Sequence, residues 1–159
     1  MKIVKNTPVY TAIHDAYNSG STIAGTSAGA AVMSKKMITG NELKYPEYTG
    51  DHRTIEANNI EIGEGLGLVD NIIVDQHFVR RMRMNRLISA CLENPAEKCI
   101  GIDEATAILI YSDSLTVVGI SHVIVLQHKT GETKINNGLL GARDIRLDVL
   151  LPNDKIILK

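Results

Sequence analysis

Gly25-Thr26-Ser27-Ala28-Gly29-Ala30, residues 25–30, decides the fold of this chain. Gly25, Ser27 and Gly29 satisfy the Gly-x-Ser-x-Gly elbow, in which a sharp strand-to-helix turn lifts a serine hydroxyl out of a sheet. Ser21-Thr22-Ile23-Ala24 before it reads as a short buried strand, and Ala30-Ala31-Val32-Met33-Ser34 after it as a helix start. The glycines let backbone pass where a side chain would clash. The free N–H groups and positive dipole end of the following helix would lie behind Ser27 and favour a developing oxyanion. Small residues at a strand–helix junction also suit plain tight packing, so the motif alone leaves both readings open.

Partners for the serine stand at the ends of two further strand-like runs. Asn71-Ile72-Ile73-Val74 is an apolar run ending in Asp75-Gln76-His77-Phe78, and Cys99-Ile100-Gly101-Ile102 ends in Asp103-Glu104. The carboxyl ends of strands are where open α/β sheets place their ligand chemistry. A serine, a histidine and an acid at such ends are the parts of a base-activated nucleophile. Either Asp103 or Glu104 could be the acid, and on a strand only one of two neighbours would face His77.

Outside these runs the chain reads as an α/β domain with an antiparallel tail. Thr7-Pro8 opens a helix running to about Tyr17, closed by Gly20. Thr39 to Gly65, with Tyr45, Tyr48, Gly50, His52 and Arg53, is polar and reads as a long irregular loop, either a cover for the cleft or a solvated excursion. Met82 to Glu93 reads as a helix. The runs at 107–110, 115–118 and 123–126 read as strands, as do Arg143–Leu151 and Lys155–Leu158.

Arg80, Arg81, Arg83 and Arg86 follow His77 directly. Guanidinium forks bind carboxylates bidentately, so a cationic pocket beside a catalytic base is one reading. A solvated helix face is the other, and Asp75 could instead pair with an arginine and hold it in place. His14 reads as a surface residue. His122 and His128 flank a strand without the Cys or Glu set that a metal site needs.

A length of 159 residues fits one domain, 1–159, and allows a core of useful size. A formal charge of -1 and 4% aromatic residues argue against nucleic acid and a membrane surface as partners. No apolar run is long enough to cross a membrane and no signal peptide is visible, so a cytoplasmic location is expected. Cys91 and Cys99 sit in or beside apolar runs and read as buried reduced thiols.

Three motifs in order, Gly25–Ser34, Asp75-Gln76-His77-Phe78 with its spaced arginines, and Gly101–Ala107, make the chain resemble cyanophycinase, of the S51 serine peptidases. The resemblance covers nearly the whole chain. It implies a three-layer α/β/α sandwich like class I glutamine amidotransferases, a flavodoxin-like fold. It implies Ser27 as nucleophile, His77 as base, Glu104 as acid and the Ala28 amide as an oxyanion donor. It carries Asp75, Gln76, Arg81, Arg83 and Arg86 over as substrate-binding residues. The implied reaction is hydrolysis of cyanophycin, a polyaspartate bearing arginine on each β-carboxyl, to β-Asp-Arg dipeptides. No metal or organic cofactor is implied. The α-aspartyl dipeptidases of the same peptidase family are the alternative activity.

The chain departs from the family pattern at its start. Family members carry N-terminal strands and a Gly-Gly-Asp-Gln-type loop before the elbow, and that loop would supply a second oxyanion donor. Here Met1 to Asn6 leads straight into the first helix. The expectation is a chain lacking the N-terminal strands: a non-catalytic fragment, a shortened product, or a subunit completed by an N-terminal segment on another chain. The family also implies homodimers.

Overall fold

The computed structural model describes residues 1, 3–47 and 52–158. In chain order, α1 (Pro8–Asn18) and α2 (Ala28–Ala31) precede the strands β1 (Lys36–Glu42), β2 (Ile60–Glu64) and β3 (Ile72–Gln76). Then come α3 (Met84–Glu93), β4 (Lys98–Ile102), β5 (Thr106–Tyr111), β6 (Ser114–Gly119) and β7 (Val123–His128). β8 (Thr133–Asn136), β9 (Leu139–Ala142), β10 (Ile145–Leu150) and β11 (Lys155–Ile157) complete the order.

Two apolar runs organise the core. β3 and β4 pair in parallel, with Asp75 opposite Gly101 and Gln76 opposite Ile102, and α3 forms the crossover between them. β7 and β10 extend the sheet antiparallel in the order β10-β7-β4-β3. Because successive strand residues point to opposite faces, the two runs divide their side chains between two clusters. Ile73, Cys99 and Phe78 meet Leu87, Ala90 and Cys91 of α3. Ile72, Val74, Ile100 and Ile102 meet Leu115 and Val117 of β6. A strand buried on both faces carries continuous apolar residues, as these do. The cover on the second face is the three-stranded sheet β11-β6-β5. The α/β class, the mixed sheet and the antiparallel C-terminal strands are therefore as the sequence implied, and both cysteines are buried and free.

Several boundaries differ from the sequence reading. Ser21–Ala24 forms no strand: the stretch is without regular structure and largely exposed, because a strand exists only where a neighbour accepts its ladder. The elbow helix is shorter and earlier than Ala30–Ser34, and Ser34 is instead buried in a bridge to Val69. Thr39–Gly65 is not irregular throughout, since β1 and β2 pair antiparallel with a bulge between Ile38 and Glu42. Tyr48 and Gly50 of that stretch lie outside the described residues. The hairpin of β8 and β9 went unread in the sequence, although its loop is Asn137-Gly138 with φ of 49° and 83°. The helix at Thr7-Pro8 forms as expected, with the Tyr10 amide donating to Thr7 Oγ1 at 3.3 Å. None of the residues of α1 is buried. No helix among the described residues is long and apolar enough to cross a membrane.

Gly101 is packed tightly against the core aromatic. A Cβ there would lie 2.3 Å from the Phe78 ring, whose residue is 1% exposed. Gly101→Ala is expected to destabilise the chain by about 1–3 kcal/mol, the usual effect of overfilling a packed core. Urea unfolding monitored by circular dichroism measures this; an unchanged midpoint would show that the ring moves aside freely.

Candidate active site

The turn after each core strand sets the site. β3 ends at Gln76, and His77 follows with a φ of 51°. The Phe78 amide donates to the Ile102 carbonyl at 3.1 Å, which draws the turn after β3 onto the end of β4. Glu104 stands just past that end. The result is that His77 Nδ1 lies 3.1 Å from Glu104 Oε1, and His77 Nε2 lies 3.0 Å from Ser27 Oγ. The three residues proposed from sequence as nucleophile, base and acid thus form one hydrogen-bonded line. It is open to solvent: Ser27 is exposed, and the side chains of His77 and Glu104 are 27% and 45% exposed. Asp103, the other candidate acid, does not face His77 in this way. It bonds the Arg80 amide and the Ser121 hydroxyl.

Ser27 is the N-cap of α2 with φ 54° and ψ -121°, a conformation L-residues rarely adopt. Such backbone persists only where its surroundings fix it, and it concentrates at functional sites. Gly25 supplies part of the fixation, since a Cβ there would lie 2.2 Å from the Gly29 carbonyl oxygen. Gly29 itself faces open space, so only the first elbow glycine is sterically required. The amides of Gly29, Ala30 and Ala31 are taken by the carbonyls of Thr26 and Ser27. Ala28, exposed beside them, makes no backbone hydrogen bond through its amide among the described residues.

The arginines divide. Arg80 and Arg81 are exposed, whereas Arg83 and Arg86 are 5% and 2% exposed. Arg86 forks onto both carboxylate oxygens of Asp75, with Nε 2.9 Å from Oδ2 and the second bond between Nη2 and Oδ1. Arg83 lies 3.6 Å from the same carboxylate and donates to the Gln76 carbonyl at 2.6 Å. Asp75 therefore holds arginine in place, one of the two roles open to it in the sequence. One buried carboxylate thus stands between two buried guanidinium groups. A cleft of about 520 Å³ runs from Ala28 past Gln76 to Arg83 and Arg86, with Thr39, Gly40 and Asn41 on its other wall. Gln76 Oε1 is buried and has no protein partner among the described residues.

His52 belongs to this neighbourhood, and sequence reasoning placed it only in a polar loop. It is 6% exposed, its carbonyl accepts from Asn85 Nδ2 at 2.9 Å, and neither ring nitrogen has a partner among the described residues. Burial, then the positive charge of Arg86, push its pKa below 6.5, against a weaker opposing pull from Glu42 and Asp75. No local sequence signal marks such a residue, because its burial comes from packing against α3. His14, read from sequence as a surface residue, is half-buried instead, its ring 4.4 Å from that of Tyr10. His128 is buried and bonds the hydroxyls of Thr130 and Thr133 at 3.3 and 3.5 Å. Among the described residues no cluster of His, Cys, Asp and Glu could hold a metal ion.

A serine, imidazole and carboxylate in line, beside a cleft lined by arginines on an α/β sheet, are the equipment of a hydrolase of the serine-nucleophile class. The chain belongs to peptidase family S51, whose model matches residues 1–118. It is 37% identical over 161 residues to a cyanophycinase of Trichormus variabilis, covering 96% of this chain and 51% of that protein. A cyanophycinase of Geminocystis herdmanii is 33% identical, with 96% and 56% covered. The chain thus spans about half the length of the curated relatives it matches. The crystal structure of a peptidase from an acI-B1 Actinobacterium superposes with a TM-score of 0.59 at 24% identity, over 96% of this chain and 52% of that one, and shows the same fold.

Two outcomes test the electrostatics of the site. Asp75→Asn leaves a buried guanidinium uncompensated and should destabilise the chain by about 3–5 kcal/mol, while the Asp75→Leu/Arg86→Met double variant should lose less. Urea midpoints decide between this and a neutral pair. His52, neutral in the fold and with its pKa depressed, is protonated first in the unfolded chain. Stability should therefore fall as pH drops below about 6.5, and His52→Gln should flatten that fall. An identical pH dependence in the variant would remove His52 from the account.

Proposed function

We propose that this chain carries the catalytic elements of a serine peptidase of the cyanophycinase type, with Ser27 as nucleophile, His77 as base and Glu104 as the orienting acid. The observation supporting this reading is the unbroken line from Ser27 Oγ to His77 Nε2 at 3.0 Å and from His77 Nδ1 to Glu104 Oε1 at 3.1 Å. With its Nδ1–H donated to Glu104, the imidazole presents the Nε2 lone pair to the serine hydroxyl. Ser27 Oγ attacks the carbonyl carbon and its proton passes to His77. The Ala28 amide donates to the oxyanion. Collapse of the tetrahedral adduct breaks the C–N bond, and His77 returns the proton to the leaving amine. An acyl ester remains on Ser27. Water, deprotonated by His77, releases the acid and restores the hydroxyl.

The substrate is an aspartyl-arginine peptide of the cyanophycin kind. The relatives named cyanophycinase support this, together with the two arginines, Arg83 and Arg86, that line the cleft starting at Ala28. Arg83, Arg86 and Gln76 would receive the acidic part of the peptide, with Asp75 orienting Arg86 from beneath, and exposed Arg81 would meet it at the rim. The assembled site would include further polypeptide, either a second copy or a complementing N-terminal segment. Favouring this are the exposed, unpaired stretch at residues 21–26 and the open outer edge of β3. Light scattering on the chain alone reads that assembly, and an active monomer would dismiss it.

Ser27→Ala should lower release of dipeptide from cyanophycin at least about 10⁴-fold with its melting temperature unchanged. It should also abolish labelling by a fluorophosphonate. Undiminished hydrolysis by the variant would end the proposal. Cleavage of Asp-Xaa dipeptides with cyanophycin untouched would reassign the substrate to the α-aspartyl type.

A further inference from the structure

Resting on the Ser27–His77–Glu104 reading, we propose that Asp103 is a positioning residue whose carboxylate ties the turn carrying His77 to the turn carrying Glu104 and so sets their separation. Its Oδ1 accepts the Arg80 amide at 3.0 Å, from the turn after His77. Its Oδ2 accepts the Ser121 hydroxyl at 2.8 Å, from the residue pair leading into β7. Two donors from two separate chain segments thus converge on one side chain, one on each carboxylate oxygen. An ionised carboxylate has about four acceptor positions and no donor, which is the only side-chain chemistry that suits such a set. Partial burial raises the Asp103 pKa, but these hydrogen bonds outweigh it and hold the carboxyl below its ordinary value.

The tie continues on its far side. Thr106 Oγ1 accepts the Ser121 amide at 2.9 Å and donates to the Glu104 carbonyl at 3.3 Å. Ser121 therefore holds Asp103 by its hydroxyl and the backbone of Glu104 through Thr106. Both joined turns need such support, because His77 and Ala105 have φ of 51° and 54°. Glu104 is 45% exposed at its side chain, so its distance from His77 depends strongly on where its backbone is held. A displacement of about 1 Å in a catalytic constellation lowers rates about 10²-fold.

The test uses two readouts on the same variants. One is the rate of fluorophosphonate labelling at Ser27, taken well below the melting temperature. The other is the low-field proton resonance of the His77 Nδ1–H bonded to Glu104. Asp103→Ala should slow labelling about 10–10²-fold and remove the resonance. Asp103→Asn, which keeps one acceptor, should fall between it and the parent chain. Ser27→Ala should keep the resonance and Glu104→Gln should lose it. An Asp103→Ala chain that keeps both the resonance and the parent labelling rate would overturn the inference. A parent chain that shows the resonance but never labels at Ser27 would instead remove the catalytic reading, with the effect of Asp103 on the resonance still measurable.

Discussion

The site depends on the parallel register of β3 against β4. Asp75 stands opposite Gly101 and Gln76 opposite Ile102, and the Phe78 amide continues the pairing to the Ile102 carbonyl. That register brings the turn after one strand beside the turn after the other, where His77 lies 3.1 Å from Glu104. A slip of one residue would reverse every side chain on β3, driving Asp75 and Ile73 to the wrong faces. The cores on both sides forbid it. Ile72 and Val74 are fixed among Leu115 and Val117, and Ile73 among Leu87 and Ala90. Burial of each such aliphatic side chain contributes about 1.5–3 kcal/mol, so the register is held by the summed hydrophobic contacts of the sheet and not by the polar line it creates.

The ion pair beneath the cleft follows from the same strand. Asp75 is an inward-facing strand residue and would be costly to bury alone. Arg86, one turn into α3, reaches back across the crossover to fork onto it, and Arg83 at the helix N-cap closes from the other side. A buried pair of this kind is weak evidence for net stability, since two apolar residues could replace it. Its consequence is spatial. It anchors the start of α3 to β3 next to His77, and it sets Arg83 and Arg86 along the wall of the cleft.

Much of this was legible in the sequence because its signals are local. The apolar runs at 72–74 and 99–102, the Thr7-Pro8 helix start and the elbow at 25–29 each carry their own physical signature, and the runs and the elbow each locate a site residue at an element end. Asp103 and Glu104 could not be told apart by alternation, because β4 ends at Ile102 and both lie in a turn. Turn hydrogen bonds separate them instead. The buried state of Arg83, Arg86 and His52 was illegible for a different reason. Charge in a sequence signals exposure, and only the fold shows that Asp75 and α3 enclose these groups. The failed strand at Ser21–Ala24 is the converse case: its local pattern suits a strand, but pairing is a property of two segments.

The two halves of the site are held unequally. His77 and Glu104 are fixed by the sheet register, by Phe78 in the core and by the hydrogen bonds around Asp103. Ser27 rests on a four-residue helix whose preceding stretch is exposed and unladdered. Its ties run through the segment after it, where the Leu66 and Leu68 amides bond the carbonyls of Val32 and Met33, and Ser34 bridges to Val69. Local opening free energies follow such differences in buried contact and hydrogen bonding. The nucleophile is therefore the element of the line with the smallest barrier to displacement. Polypeptide that pairs with residues 21–26 acts on that half alone, so it would tune the Ser27–His77 distance while leaving His77–Glu104 as the sheet sets it.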